Sequence, residues 1–360
     1  MWIAAIVQSL RSLLRPKPLA IFEACLIGFC SALAAVLLKQ SVAWLDGWRV
    51  MATQLVPAWL ALPSIGLVGG FWSGWLIEAL APEATGSGIP QVKAALAHVP
   101  IALDLRVALV KLVSTSLSLG SGLALGRQGP TVQIGAALAA QFSRWTETSP
   151  AYQRQLIAAG AAAGLAASFN APIAGVLFVV EELLQDVSDF TLGTAILAAF
   201  VGGVVSRLLG GRGLIPDLSQ VQTSFSVQEI PILIGLGILA GLLGALFNRG
   251  VLASLTFNRS RLHHLTLPWR VSLAAGLTGI IIALLPDGLR YSVELQDSLV
   301  IGGMDWQITA LVFVTYFLLC LVGFGSSAPG GIVCALPDFR FRLGKSRGNW
   351  VAQPESAAQS

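Results

Sequence analysis

The chain has 360 residues, 55% of them hydrophobic and 11% charged, and its mean hydropathy is +0.77. Soluble domains carry about 25% charged residues, so a protein whose whole surface faces water is excluded. The formal charge of +4 is too small to indicate nucleic acid as a partner.

Residues 1–19 read as a cytoplasmic N-terminal segment, because Arg11, Arg15 and Lys17 precede the first long apolar run and basic residues stay inside. Met1 to Leu14 is apolar enough to suggest a signal peptide. No small-residue cleavage site follows it, however, and Arg15-Pro16-Lys17-Pro18 reads as an inside-facing linker. Apolar helical runs then follow over 20–44, 58–81, 104–125, 131–144, 153–168, 172–185, 191–210, 229–256, 269–286 and 307–324. Several are too short to cross about 30 Å of hydrocarbon at 1.5 Å per residue. The 38 glycines and 17 prolines suit membrane helices that are tightly packed, broken or re-entrant. The polar connections at 146–150, 212–228, 258–268 and 290–305 are brief, so residues 20–333 form one membrane domain. After Pro337 the chain turns polar, and 334–360 reads either as an ordinary cytoplasmic tail or as a shifted reading frame.

The cysteines Cys25, Cys30, Cys320 and Cys334 contain no CxxC pair and are expected as small packing residues, without metal or disulfide use. His263 and His264 sit beside Arg261 in a loop read as solvated. No HExxH motif occurs, and no nearby His or Asp activates Ser87, so enzymatic chemistry is not expected.

Three Gly/Pro/Ser stretches carry the chemistry. They are Gly86-Ser87-Gly88-Ile89-Pro90, Gly126-Arg127-Gln128-Gly129-Pro130, and Gly325-Ser326-Ser327-Ala328-Pro329-Gly330-Gly331-Ile332-Val333. Each adjoins apolar helical sequence, and Pro suits the first helical turn. The first N–H groups of a helix have no internal partner, and the peptide dipoles add about half a positive charge. An anion can bind there without a full cation and still be released. Taken singly, such a stretch is more often a close helix contact than an anion site; three in one apolar chain bring the two readings level.

In order and spacing, these stretches resemble the selectivity motifs of the CLC chloride channels and transporters. Ser168-Phe169-Asn170-Ala171-Pro172-Ile173-Ala174-Gly175, followed by Phe178-Val179-Val180-Glu181-Glu182, resembles the family's segment leading to its internal glutamate. The resemblance implies an all-α membrane protein, built as an inverted-repeat bundle with re-entrant, broken helices. It also implies a homodimer with one pore per subunit in the cell's inner or plasma membrane, with chloride as transported ligand and no cofactor. Ser87 then resembles the serine whose hydroxyl holds the anion, and the amides of Ile332 and Val333 its partners across the pore. Gly86, Gly88, Ile89, Pro90, Gly126, Gly129 and Pro130 frame the site. Arg127 reads as a pore charge or as a brace for loop carbonyls.

Two departures bear on function. Gln128 stands at the gate, where most members have glutamate; glutamine carries neither charge nor a titratable proton. The expectation is a passive conductor without proton coupling. Glu182 matches the inner proton-transfer glutamate, which keeps chloride/proton exchange as an alternative, or it serves structure at the cytoplasmic face. In the third motif, Val333 and Ala335 replace the family's phenylalanine and proline, and the last helices of the second repeat are not found. A truncation or frameshift near Val333 accounts for this. It removes part of the dimer surface and brings in a non-conducting remnant as a further alternative.

Overall fold

The structure, a computed structural model, describes residues 16–184, 189–210, 230–285, 306–331, 345–346 and 349–350. The helices are α1 Pro16–Leu55, α2 Ala58–Leu80, α3 Ile89–Leu96, α4 Leu105–Gly120, α5 Gln128–Trp145 and α6 Pro150–Phe169. They continue with α7 Pro172–Phe178, a π-helical turn Val179–Leu184, α8 Asp189–Gly210, α9 Ile230–Arg261, α10 Leu267–Leu284 and α11 Trp306–Gly325. In the tail, β1 Lys345–Ser346 pairs antiparallel with β2 Asn349–Trp350. Ile332 and Val333 lie outside the described residues.

Six of these helices are long and apolar enough to cross a membrane. The 40 residues of α1 span about 60 Å, twice the hydrocarbon thickness, so the helix must be steeply tilted. It begins at Pro16, inside the stretch read as a linker, because proline is tolerated in a first turn whose N–H groups have no helical partner anyway. By contrast α3 has 8 residues and α7 has 7, about 12 Å or less, and neither can cross. Three expectations from periodicity are corrected here. The 104–125 run stops being helical at Gly120, the 172–185 run divides into α7 and a π-helical turn, and α3 forms where no run stood out. Hydrophobic spacing reports apolar faces, and it does not see the turn that breaks an otherwise apolar stretch.

The centre is the antiparallel pair α5 and α6, both buried on nearly every side. Their backbones touch. A methyl group on Gly135 would lie 2.2 Å from the Gly160 carbonyl oxygen, and one on Gly160 would lie 2.3 Å from that of Gly135. Small residues permit this approach, which in lipid replaces the hydrophobic drive that water supplies to soluble cores. Around the pair, α1 and α8 run side by side in the same direction. Gly28 of α1 meets Ala198 of α8, and eleven residues further along α1 Lys39 Nζ donates to the Gly210 carbonyl at 2.7 Å. On another flank, Gly66, Gly70 and Gly74 of α2 lie against the backbone of α10 at Ala275, Val271 and Pro268. Much of α9 presents leucine and isoleucine outward, as a lipid-facing surface requires.

Cys25 and Cys30 are free thiols, whereas Cys320 is disulfide-bonded, which corrects the expectation of packing residues alone. Apolar surroundings and the absence of CxxC spacing carry no information about a bridge formed outside that spacing.

Candidate functional site

Two helix starts carry a side-chain cap from the residue before them: Asp104 Oδ1 accepts from Val107 N at 2.9 Å for α4, and Ser149 Oγ accepts from Tyr152 N at 3.4 Å for α6. Neither α2 nor α10 has such a cap, although Leu267 N of α10 donates to Glu78 Oε2 at 3.0 Å. Such caps satisfy N–H groups that have no partner in the helix. Helices α3, α5 and α7 begin with no side-chain cap. The first two start at the Gly/Ser/Pro stretches singled out from the sequence.

Those stretches converge although some 240 residues separate the first from the third. Gly86 N donates to Ser327 O at 3.2 Å, and Gly330 N returns to Gly86 O at 3.2 Å, closing a two-bond bridge between the first and third loops. Gly126 and Gly331 form an isolated antiparallel bridge between the second and third, with N···O distances of 3.0 and 2.5 Å. The first and second loops meet where a methyl group on Gly129 would lie 2.6 Å from the Ser87 carbonyl oxygen. Gly86 and Gly88 have φ of +68° and +90°, a left-handed conformation that side chains with a Cβ rarely adopt. Gln133 Nε2 donates to Glu83 O at 2.8 Å and ties α5 to the segment leading into the first loop.

Within this junction Ser87 is buried, and its hydroxyl makes no hydrogen bond among the described residues. Gln128, the first residue of α5, is also buried. Its Oε1 has no hydrogen-bond partner, although its backbone carbonyl accepts from Thr131 Oγ1 at 2.7 Å. A buried amide oxygen without a donor is costly. Arg127, half-buried, lies within electrostatic reach of Lys39.

The junction has two sides. The 22 residues of α8 extend about 33 Å, with Lys39 bound at its end and Glu182 just before its start. Lys39 and Arg127 therefore stand on one side. On the other, Glu182 Oε1 receives a hydrogen bond from Lys93 Nζ at 2.8 Å, with both side chains about half exposed. Lys93 stands in the last turn of α3, whose first turn begins beside Ser87.

Sequence reasoning brought Gly86, Ser87, Gly88, Ile89, Pro90, Gly126, Arg127, Gln128, Gly129 and Pro130 into one region, and the structure brings them together. It places Glu182 apart from them, at the far end of α3. Three cations are not singled out by the sequence: Lys39 in α1, Lys93 in α3, and Lys111, fully buried in α4 and bonded to the carbonyls of Ala84 and Gly86 at 2.7 and 2.6 Å. For Lys39 and Lys111 a lysine inside an apolar run was the available signal, since intramembrane cations are functional by default. Among the described residues, no group of three or more His, Cys, Asp or Glu side chains is arranged to hold a metal.

Comparison with known proteins agrees with this architecture. The chain is 33% identical over 288 residues to the H⁺/Cl⁻ exchange transporter ClcA of Vibrio parahaemolyticus, covering 78% of this chain and 61% of that relative. It is 31% identical over 349 residues to the ClcA exchanger of Klebsiella pneumoniae, covering 92% of this chain and 72% of the relative. It thus spans about three fifths of the length of the Vibrio relative. Among solved structures, a slow cyanobacterial Cl⁻/H⁺ antiporter superposes with a TM-score of 0.78 at 31% identity, covering 89% of this chain and 76% of the other. A eukaryotic CLC transporter superposes with a TM-score of 0.73 at 25% identity, covering 88% and 57%. The family model described as voltage gated chloride channel matches residues 69–336, and the chain, an integral multi-pass membrane protein, belongs to that family.

Proposed function

We propose that this chain moves chloride across a membrane passively, without coupling to protons, through the junction of Ser87, Gln128 and the third loop. The observation that carries the reading is Gln128: a buried, uncharged side chain at an uncapped helix start, beside a buried serine hydroxyl that makes no hydrogen bond among the described residues. The helix N-termini supply partial positive charge and Ser87 a hydroxyl, enough to hold a halide and weak enough to let it go. Gln128 cannot compete with chloride as an anion and has no proton to exchange. In this reading Ile332 and Val333 add backbone amides, the pore needs no cofactor, and two chains associate as a homodimer. The N-terminus lies in the cytoplasm, so Lys93 and Glu182 face the cytoplasm and Lys39 and Arg127 the opposite side.

A second reading, chloride/proton exchange, is favoured by the relatives, which are named as exchangers, and by Glu182 on the inner side. Liposomes loaded with chloride and containing the purified chain separate the two when a pH electrode follows the bath. Chloride efflux with no proton uptake is the expected result. Proton movement driven by a chloride gradient would replace the passive reading with exchange, and no flux from folded protein would leave the chain a non-conducting member of the family.

A further inference from the structure

We propose that the Asp46–Arg49 pair of α1 positions the second loop against the third and so sets which halides pass between them, an inference that rests on the chloride reading above. Helix α4 ends in a glycine turn. Gly122, at φ +106°, donates its N–H to Leu119 O at 3.0 Å, and Leu123 N donates to Ser118 O at 3.3 Å. Two such bonds fix the direction in which a chain leaves its helix. Arg49 stands directly on this turn. A methyl group on Gly122 would lie 2.2 Å from its Nη1, while its Nη2 meets Asp46 Oδ1 at 2.5 Å. Arg49 is 6% exposed and Asp46 20%. A cation is favourable at the C-terminal end of a helix. Asp46, one turn earlier in α1, holds the guanidinium in that place.

From Gly122 the chain runs as a short strut to Gly126, and the far end of that strut is fixed as well. Gly126 forms the backbone bridge to Gly331 in the third loop. Leu125, just before it, seats against two glycines of the segment that carries that loop. A methyl group on Gly323 would lie 3.2 Å from Leu125 Cγ, and one on Gly330 would lie 2.6 Å from Leu125 Cβ. Gly323 belongs to the last turn of α11. Tyr316, two turns earlier on the same face of α11, is buried within electrostatic reach of Arg49 and Asp46. The ion pair, the strut and α11 therefore close a frame. Gln128 opens α5 directly after the second loop begins, so any shift of the strut moves that helix start relative to the third loop. Asp46 and Arg49 are positioning residues: they act on the opening through the strut, and the frame sets its width.

The test compares efflux of chloride with efflux of iodide, a larger halide, from liposomes containing the purified full-length chain. Melting temperature is read on the same preparations. Arg49→Gln leaves Asp46 without its partner and is expected to lower the melting temperature, because a buried charge left unpaired is costly. Adding Asp46→Asn removes that charge, so the double variant is expected to regain most of the loss. Both variants release the Gly122 turn, and both are expected to raise the iodide-to-chloride efflux ratio by about threefold or more. Asp46→Glu keeps the charge and lengthens the pair by one methylene. It is expected to shift the ratio in the same direction with the melting temperature close to wild type, and it decides the matter if the double variant does not fold. A wild-type ratio in the double variant or in Asp46→Glu would overturn the proposal and leave the chloride reading standing. So would a ratio that shifts only where the melting temperature falls, since that marks a purely structural pair. Absence of halide efflux from the folded wild-type chain would overturn the chloride reading and this proposal together.

Discussion

Gly129, on the first turn of α5, packs so closely on Ser87 that a methyl group there would lie 2.6 Å from the Ser87 carbonyl oxygen and 3.3 Å from its Cβ. This contact sets the distance between the two uncapped helix starts. Gly129→Ala is expected to destabilise the protein by about 1–3 kcal/mol through overpacking. Chloride efflux should fall further than that loss of stability explains, because the two helix starts are pushed apart. Melting temperature and efflux measured on the same preparation check it.

Placing a carboxylate at Gln128 gives a pH test of the proposed passive path. Gln128→Glu places an acid whose unperturbed pKa is about 4.3 at a buried position. When ionised it competes with chloride, and when protonated it does not. Flux through Gln128→Glu is therefore expected to fall about tenfold at neutral pH and to recover as pH drops, whereas wild-type flux carries no such dependence from this position. Efflux assayed across a series of bath pH values reads the difference.

Removing the free hydroxyl is a milder change. If Ser87 holds the anion as proposed, Ser87→Ala loses one hydrogen bond to it, worth about 1.5–3 kcal/mol for a charged partner. Chloride affinity should drop by roughly tenfold or more with folding unaffected, as read by calorimetry and by the melting temperature.

The central helix pair makes a prediction about the fold alone. Gly135 and Gly160 touch through their backbones, and a Cβ would meet carbonyl oxygen at 2.2–2.3 Å. Gly160→Val has no flexible neighbour to displace. It is expected to cost more than about 3 kcal/mol and to abolish monodisperse protein on size-exclusion chromatography in detergent.

The Lys93–Glu182 pair distinguishes the two transport readings. Both side chains are about half exposed, so the ion pair itself is worth at most about 1 kcal/mol. Glu182→Gln should leave both stability and passive chloride efflux within twofold of wild type. A loss of proton-coupled flux in this variant would instead assign Glu182 to a proton path.

The membrane class, the positions of most long helices and the three Gly/Ser/Pro loops that meet in the fold were legible in the sequence. Each of these is a local property: apolar content, run length, and glycine or proline at a helix start. The lack of charge at Gln128 is read from the sequence directly, and its burial at the start of α5 comes from the fold. What lay beyond the sequence depends on contacts between remote segments. The bridge from Gly126 to Gly331, the pairing of Lys93 with Glu182 and the burial of Lys111 behind Ser87 join residues that no periodicity relates. The short α3 likewise follows from backbone geometry, its start set by Gly88 at φ +90°, which hydrophobic spacing does not report. Amino-acid composition determined that the chain lives in lipid and where its helices can break. Packing of the α5–α6 pair and its neighbours decided that those breaks meet at one point, since backbone groups at membrane depth are tolerated only where other protein groups or a ligand satisfy them.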